Sequence, residues 1–283
     1  SISPLNRGFL YGDSIYEVWR TFDSVLIAFE EHWERLGRSA DALGLDIGFS
    51  ESCLREEIGK TVEAYQKHTG WRKDCYVRFQ MARGDGPLAL DPTVTMKPFW
   101  VILVQKLKVL SAEHLEKGIR LSIARGLRRN PKDSLNPAWK TGNYLNNVVG
   151  LSEARKRNAN DVLLLNHHGE VCEASTSNIF FVKGQTVITP SSDCGILEGV
   201  TRKIITERLQ LPAGVELRKK RIKVEELEGF DECFLTASTC DIIPVKEIDD
   251  CCYNVSLDSV TRKLKSEYAR WLEAYRSSHK ESE

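Results

Sequence analysis

The sequence lacks the short signatures that mark several large classes of protein. It contains no C-x-x-C and no H-E-x-x-H spacing, so no local motif supplies three or four metal ligands and no metal site is expected. His167-His168 stand just before Gly169 and read as a turn between strands. There is no P-loop and no G-x-G-x-x-G, which leaves nucleotide binding by either route without support. No apolar run reaches the roughly 18 residues of a membrane span, and no basic segment followed by an apolar core opens the chain; the expectation is a cytoplasmic protein without a membrane partner. An excess of one charge is also missing. Lys plus Arg and Asp plus Glu both number 40, so no net field favours nucleic acid or an anionic surface. The eight cysteines are scattered and include the adjacent Cys251 and Cys252, a pattern of reduced thiols rather than a disulfide framework. Internal repeats, low-complexity stretches and flexible linkers are absent too.

What is present is a chain of 283 residues, 41% hydrophobic and 28% charged, long enough for one large domain or two ordinary ones. It opens on a glycine-punctuated loop through Asp13, followed by a strand at Ile15–Arg20, a turn at Thr21–Ser24 and a second strand at Val25–Phe29. From Glu30 the period changes: Trp33, Leu36, Ala40 and Leu43 make an amphipathic helix that Gly44 ends, and Leu54, Ile58, Val62 and Tyr65 make another. Cys75–Met81 and Phe99–Val104 are strands by β-propensity, with Tyr76, Arg78 and Gln80 alternating onto one face and Val77, Phe79 and Met81 onto the other. A weaker stretch after Lys106 suggests a boundary, giving a small α+β domain over 1–107 and a larger β-rich domain over 108–283. The second contains short strands at Ile119–Ala124, Asp161–Asn166, Ile179–Val182, Thr186–Thr189 and Cys233–Thr236, with helices from Tyr144 and Thr201, and is expected to be barrel-like. A last helix carries Val260, Leu264, Tyr268 and Trp271, and the polar tail from Ser277 to Glu283 is expected to fray.

Candidate chemistry begins at Lys140, in a turn rather than on a charged helix face, with Asn143, Tyr144, Asn146 and Asn147 crowded behind it as for a ligand. Glu173 stands among small polar residues before an apolar strand, where burial would require a cationic or protonated partner. Gly199-Val200-Thr201 forms a glycine-flanked entry to a helix, which turns backbone N–H groups and the positive end of the dipole outward; it suits an anion, or Thr201 merely caps the helix. Arg78 on a central strand needs an ion pair or a polar ligand, and Arg35 beside an apolar stripe reads on spacing alone as a snorkelling surface arginine. A lysine, a carboxylate and an anion-binding helix start are together the requirements of pyridoxal phosphate.

The segments RGFLYGDSIYEVWR, EEHWERLGRSA, YVR, WKTGNYLNN, EASTSNIFFV, ILEGVTR and DECFLTASTCDIIPV, in that order over nearly the whole chain, resemble the fold-type IV family of pyridoxal phosphate enzymes, the branched-chain and D-amino-acid class IV aminotransferases. The resemblance implies an α+β, two-domain fold with a small N-terminal α/β domain and a larger β-barrel-like domain. It implies that Lys140 forms the internal aldimine, that Glu173 contacts the pyridine nitrogen, that Tyr144 supports the ring oxygen, and that Arg35, Gly199, Val200, Thr201 and Ser238 hold the phosphate. Tyr11, Tyr16, Tyr76 and Arg78 would face the substrate, Tyr11 from a neighbouring subunit, so a homodimer is expected. The Tyr76-x-Arg78 strand resembles the branch that transfers the amino group of a branched-chain L-amino acid to 2-oxoglutarate; a D-amino-acid or (R)-amine transaminase and an aminodeoxychorismate lyase are the alternatives on this scaffold. Val18 stands where the L-branch has glycine, and the leading strand pair usual in the family ahead of the ISPLNRG segment is either missing or outside this numbering.

Overall fold

In the computed structural model, residues 2–94 and 97–280 are described. They divide into two compact units. The first holds residues up to Lys108 and gains two later pieces, Trp139–Tyr144 and the chain end from Ser278; the second holds Val109–Ala138 and Leu145–Ser277. A single boundary near residue 107 therefore misses the return of Trp139–Tyr144, which backbone pairing described below explains.

The first unit starts with α1 (Arg7–Tyr11), where the sequence suggested a loop. The Asn6 side chain accepts from the Gly8 N–H at its start and left-handed Gly12 closes it, so one short turn is capped at both ends. Next come β1 (Ser14–Phe22) and β2 (Val25–Leu26), shorter than expected because the chain turns at Ala28 into α2 (Phe29–Leu43). After α3 (Glu51–Thr69), β3 (Cys75–Ala82) and β4 (Phe99–Lys106) complete an antiparallel sheet of order β2-β1-β3-β4. Ile15 and Trp19 of β1 and Val77, Phe79 and Met81 of β3 form one core with Phe29 and Leu36 of α2 and Leu54 and Ile58 of α3. Strand alternation then puts Ser14, Tyr16, Arg78 and Gln80 on the sheet face away from that core, with Tyr16 directly opposite Gln80 and Val18 opposite Arg78.

The second unit runs through α4 (Ala112–Lys117), β5 (Ile119–Ile123), α5 (Leu145–Lys156), β6 (Asp161–Leu165), β7 (Val171–Ala174), β8 (Asn178–Lys183), β9 (Thr186–Pro190), α6 (Val200–Glu207), β10 (Glu216–Lys220), β11 (Glu232–Ala237), β12 (Asp241–Ile248), β13 (Cys251–Cys252) and α7 (Val260–Lys280). Strands β8, β11, β12, β5, β6 and β7 pair in a ring, and the β7–β8 contact closes it, so the expected barrel is a closed one of six strands. Its interior is filled by Leu121, Leu163, Val171, Phe181, Leu235 and Val245 among others. Closure leaves no unpaired edge within the ring, while β9 and β10 extend outward from β8. Helix α7 continues through Lys280, beyond the point where fraying was expected, and Lys280 pairs with Asp23 of the first unit's β1–β2 turn. Residues 281–283 of that tail lie outside the described residues. Among the described residues no helix is long and apolar enough to cross a membrane.

Candidate active site

Lys140 is held by the edge of β1. The Tyr16 N–H donates to the Lys140 carbonyl at 3.0 Å and the Gly142 N–H to the Ser14 carbonyl at 2.8 Å, around an antiparallel bridge between Ile15 and Thr141. Residues 140–142 thus act as a short strand beside β1, and the pleat sends the Lys140 side chain to the same face as Tyr16. Its Nζ lies 4.5 Å from the Tyr16 ring centroid. Gly142 faces Ser14 so closely that a Cβ would fall 2.3 Å from Ser14 Oγ, which accounts for glycine after the lysine-threonine pair. On its other side the Lys140 N–H donates to Ser39 Oγ at 3.1 Å, and that hydroxyl donates to the Arg35 carbonyl of α2. The lysine backbone is fixed from two elements.

Tyr16 gathers the rest of this group. Tyr144 meets its ring edge-on at a centroid distance of 5.5 Å, and the Arg78 guanidinium stacks at 3.7 Å. Burial pushes the Tyr16 phenol well up, and the neighbouring Tyr144 adds to the effect. The crowded asparagines behind Lys140 have structural duties: Asn143 donates to the Gly12 carbonyl, Asn146 to the Arg128 carbonyl and Asn147 to the Ser175 carbonyl. Tyr76 lies on the same strand face as Arg78, and Tyr11 ends α1 under the Arg7 guanidinium.

Arg35 is not a surface arginine. It is buried, donating from Nε and Nη2 to the two oxygens of Glu17 at 2.8 Å each, and His32 Nδ1 bonds the same carboxylate at 2.7 Å. Burial alone would raise the Glu17 carboxyl, but Arg35 and His32 reverse this and hold it far below the usual carboxylate range. Burial also lowers the His32 imidazole, helped by the positive charges of Arg35 and Lys140. Sequence reading missed Glu17, although a carboxylate between the inward-facing Ile15 and Trp19 was itself a signal that a buried cation must exist.

In the second unit Glu173 sits at the β7–β8 seam, paired in register with Asn178. Its Oε1 accepts from Arg129 Nη2 at 2.7 Å, and its Oε2 accepts from the Leu197 N–H at 3.0 Å and Asn178 Nδ2 at 3.2 Å. Arg129, in the loop after β5, is the cation that a buried carboxylate demanded and that no spacing revealed. Asn178 also donates to the Leu197 carbonyl, which ties the seam to the turn ahead of α6. That turn ends at Gly199, the N-cap of α6 in extended conformation with no side chain to offer, so Thr201 does not cap the helix. A Cβ on Gly199 would fall 2.0 Å from Asn178 Oδ1. Val200 and Thr201 lie in the first turn, whose N–H groups lack intrahelical acceptors. Ser238 lies in the turn between β11 and β12.

The profile described as amino-transferase class IV matches residues 14–248. The chain belongs to that family. A class IV aminotransferase of this kind uses pyridoxal phosphate, so this chain is a pyridoxal-phosphate-dependent aminotransferase. It is similar to a Methanocaldococcus jannaschii protein provisionally named a branched-chain-amino-acid aminotransferase, 33% identical over 268 residues that cover 94% of this chain and 90% of the other. It is also 30% identical over 269 residues to an aminodeoxychorismate lyase of Bacillus subtilis, covering 95% and 89% of the two chains. Among solved structures, the T.th. branched-chain amino acid aminotransferase complexed with N-(5'-phosphopyridoxyl)-L-glutamate superposes with a TM-score of 0.82 at 26% identity, over 97% of this chain and 89% of that one.

Each unit of this aminotransferase, taken by itself, carries residue types that fit the cofactor's chemistry. The first unit offers a lysine amine on a rigid backbone and a buried arginine; the second offers a carboxylate whose two oxygens are already oriented by three donors, and a helix start opened by glycine. One cavity of about 560 Å³ in the first unit has a mainly apolar lining that includes Phe9, Phe99, Val101 and Leu103, and it reaches Gln80 but is not lined by Lys140, Tyr16 or Arg78.

Proposed function

We propose that this aminotransferase moves the amino group of a branched-chain L-amino acid to 2-oxoglutarate, with Lys140 as the lysine that carries the cofactor. The observation that carries the reading is the sharing of the Tyr16 ring by Lys140 and Arg78, which brings the Tyr76-x-Arg78 strand face to the reacting amine. The branched-chain names of similar proteins and the glutamate adduct of the T.th. structure support the same substrates. Bound pyridoxal phosphate supplies an electron sink for the pair left when the Cα–H bond breaks. Lys140 Nζ takes that proton and returns it on the cofactor side, as general base and then acid. The Tyr16 face and the clamp on its backbone limit where the amine can go. Glu173 is assigned to the pyridine nitrogen, Tyr144 to the ring oxygen, and Arg35, Gly199, Val200, Thr201 and Ser238 to the phosphate. Tyr11, Tyr16, Tyr76 and Arg78 are assigned to the substrate.

A homodimer is the proposed working unit. Supporting it, the first unit exposes Phe9, Leu88 and Leu90, each more than 70% accessible, and the second exposes Leu145, Val148 and Val149. The free thiols of all eight cysteines support a reducing, cytoplasmic setting. Val18, opposite Arg78 on the same face, favours the second reading, a D-amino-acid or (R)-amine transaminase or a lyase, because its branched side chain takes space that glycine would leave.

The test is a set of half-reactions followed by cofactor absorbance. L-Leucine should convert the enzyme and 2-oxoglutarate should restore it, while Lys140→Ala loses both turnover and the visible spectrum of lysine-bound cofactor. Turnover confined to D-alanine or an (R)-amine, or pyruvate released from aminodeoxychorismate without an acceptor, would overturn the substrate assignment. An unchanged spectrum in Lys140→Ala would overturn the lysine assignment.

A further inference from the structure

Arg78 is paired with an amide where a carboxylate would be the usual partner. Its Nε and Nη2 both donate to Gln80 Oε1, at 3.1 and 2.8 Å. Because arginine only donates, the amide oxygen must face it, and Gln80 Nε2 is turned to donate to Ser14 Oγ at 3.2 Å. Ser14 is fixed in turn by the ladder that carries Lys140, through its carbonyl and the Gly142 N–H. The guanidinium lies against the Tyr16 ring, and among the described residues no carboxylate pairs with it. Arg35, 43 positions earlier in the same unit, shows the contrast: its charge is cancelled by the two oxygens of Glu17.

The difference has a chemical consequence. A neutral amide occupies two N–H groups and sets the plane of the guanidinium but leaves its unit charge intact. That charge is half-buried next to the apolar cavity that Gln80 borders together with Val101 and Leu103, where the surroundings screen it less than water does. We propose that Gln80 is a positioning residue which holds Arg78 flat on Tyr16 without neutralising it, and so sets how well the enzyme accepts an anionic side chain, that of a dicarboxylic amino acid or oxo acid, as against an apolar one. The inference rests on the proposed exchange between a branched-chain amino acid and 2-oxoglutarate, since that reaction requires one enzyme to take apolar and anionic side chains in turn.

Gln80→Glu is close to isosteric and supplies the missing carboxylate; Gln80→Met removes the acceptor and leaves the charge. Binding of glutarate and of 4-methylpentanoate to the cofactor-loaded enzyme, measured by titration calorimetry with melting curves to establish folding, separates the two effects. Gln80→Glu should weaken glutarate by about tenfold or more relative to 4-methylpentanoate, and Gln80→Met should do so by a smaller factor. The KM for 2-oxoglutarate should rise in the same order, with kcat changing less. Equal weakening of both ligands, or glutarate binding untouched in Gln80→Glu, overturns the proposal. Turnover by the wild type of D-amino acids alone, with the Gln80 effect on glutarate intact, would defeat the substrate reading and leave the role of Gln80 standing.

Discussion

Each unit buries a carboxylate against an arginine, Glu17 in the first and Glu173 in the second, and these two are built differently. Glu17, in the first, takes two bonds from Arg35, one from His32 and a longer one from the Val18 N–H. Glu173, in the second, takes one bond from Arg129, one from an asparagine and one from a backbone N–H at the barrel seam. The first arrangement saturates a charge and fixes an arginine. The second fixes the carboxylate itself, by donors from three separate stretches of chain.

Glu17→Gln should have the largest effect on stability. It leaves Arg35 buried without its counter-charge, a loss of about 3–5 kcal/mol that chemical denaturation would measure. Glu173→Gln should act instead on the reaction, lowering the half-reaction rate with L-leucine at saturating cofactor by on the order of 10²-fold. The contrast breaks if Glu173→Gln unfolds the protein as readily as Glu17→Gln while keeping its rate. The smallest effect is on pH dependence. Glu17 has a folded pKa below its ordinary value of 4.5, so its stabilisation is complete above that value and disappears as pH falls towards the folded pKa. His32 is lowered from 6.5, so on acidification the unfolded chain takes up that proton first, and stability declines from about pH 6.5 downward by at most about 1.4 kcal/mol per pH unit. His32→Gln should flatten the melting temperature between pH 6.5 and 5; an unaltered slope there would mean that the imidazole does not titrate between the two states.

Strong periodicity was legible. The amphipathic stripe of α2 with its Gly44 stop, the alternation in β3 and the apolar strands β6 and β8 all formed close to where spacing put them. Strands that break the pattern were not legible. β10 is Glu-Leu-Arg-Lys-Lys on an outer edge, stabilised by its parallel pairing to β9, and β12 contains Pro244, tolerated because its pairing to β5 begins only at Val245. β7 is only Val-Cys-Glu-Ala, and its one charged residue, Glu173, is buried against Arg129.

The sequence by itself determined the residue types proposed for the chemistry, a lysine in a turn, a carboxylate before an apolar strand and a glycine before a helix, and the order of segments that marks the family. Tertiary structure alone decided what each of them touches. Lys140 lies on the Tyr16 face because residues 140–142 pair with the edge of β1, Glu173 meets Arg129 and Asn178 because the barrel closes there, and Arg35 is buried because Glu17 faces the core. These contacts join residues from five to more than a hundred positions apart. Their partners are chosen by strand register and by the balance of buried charge, neither of which is carried by spacing along the chain.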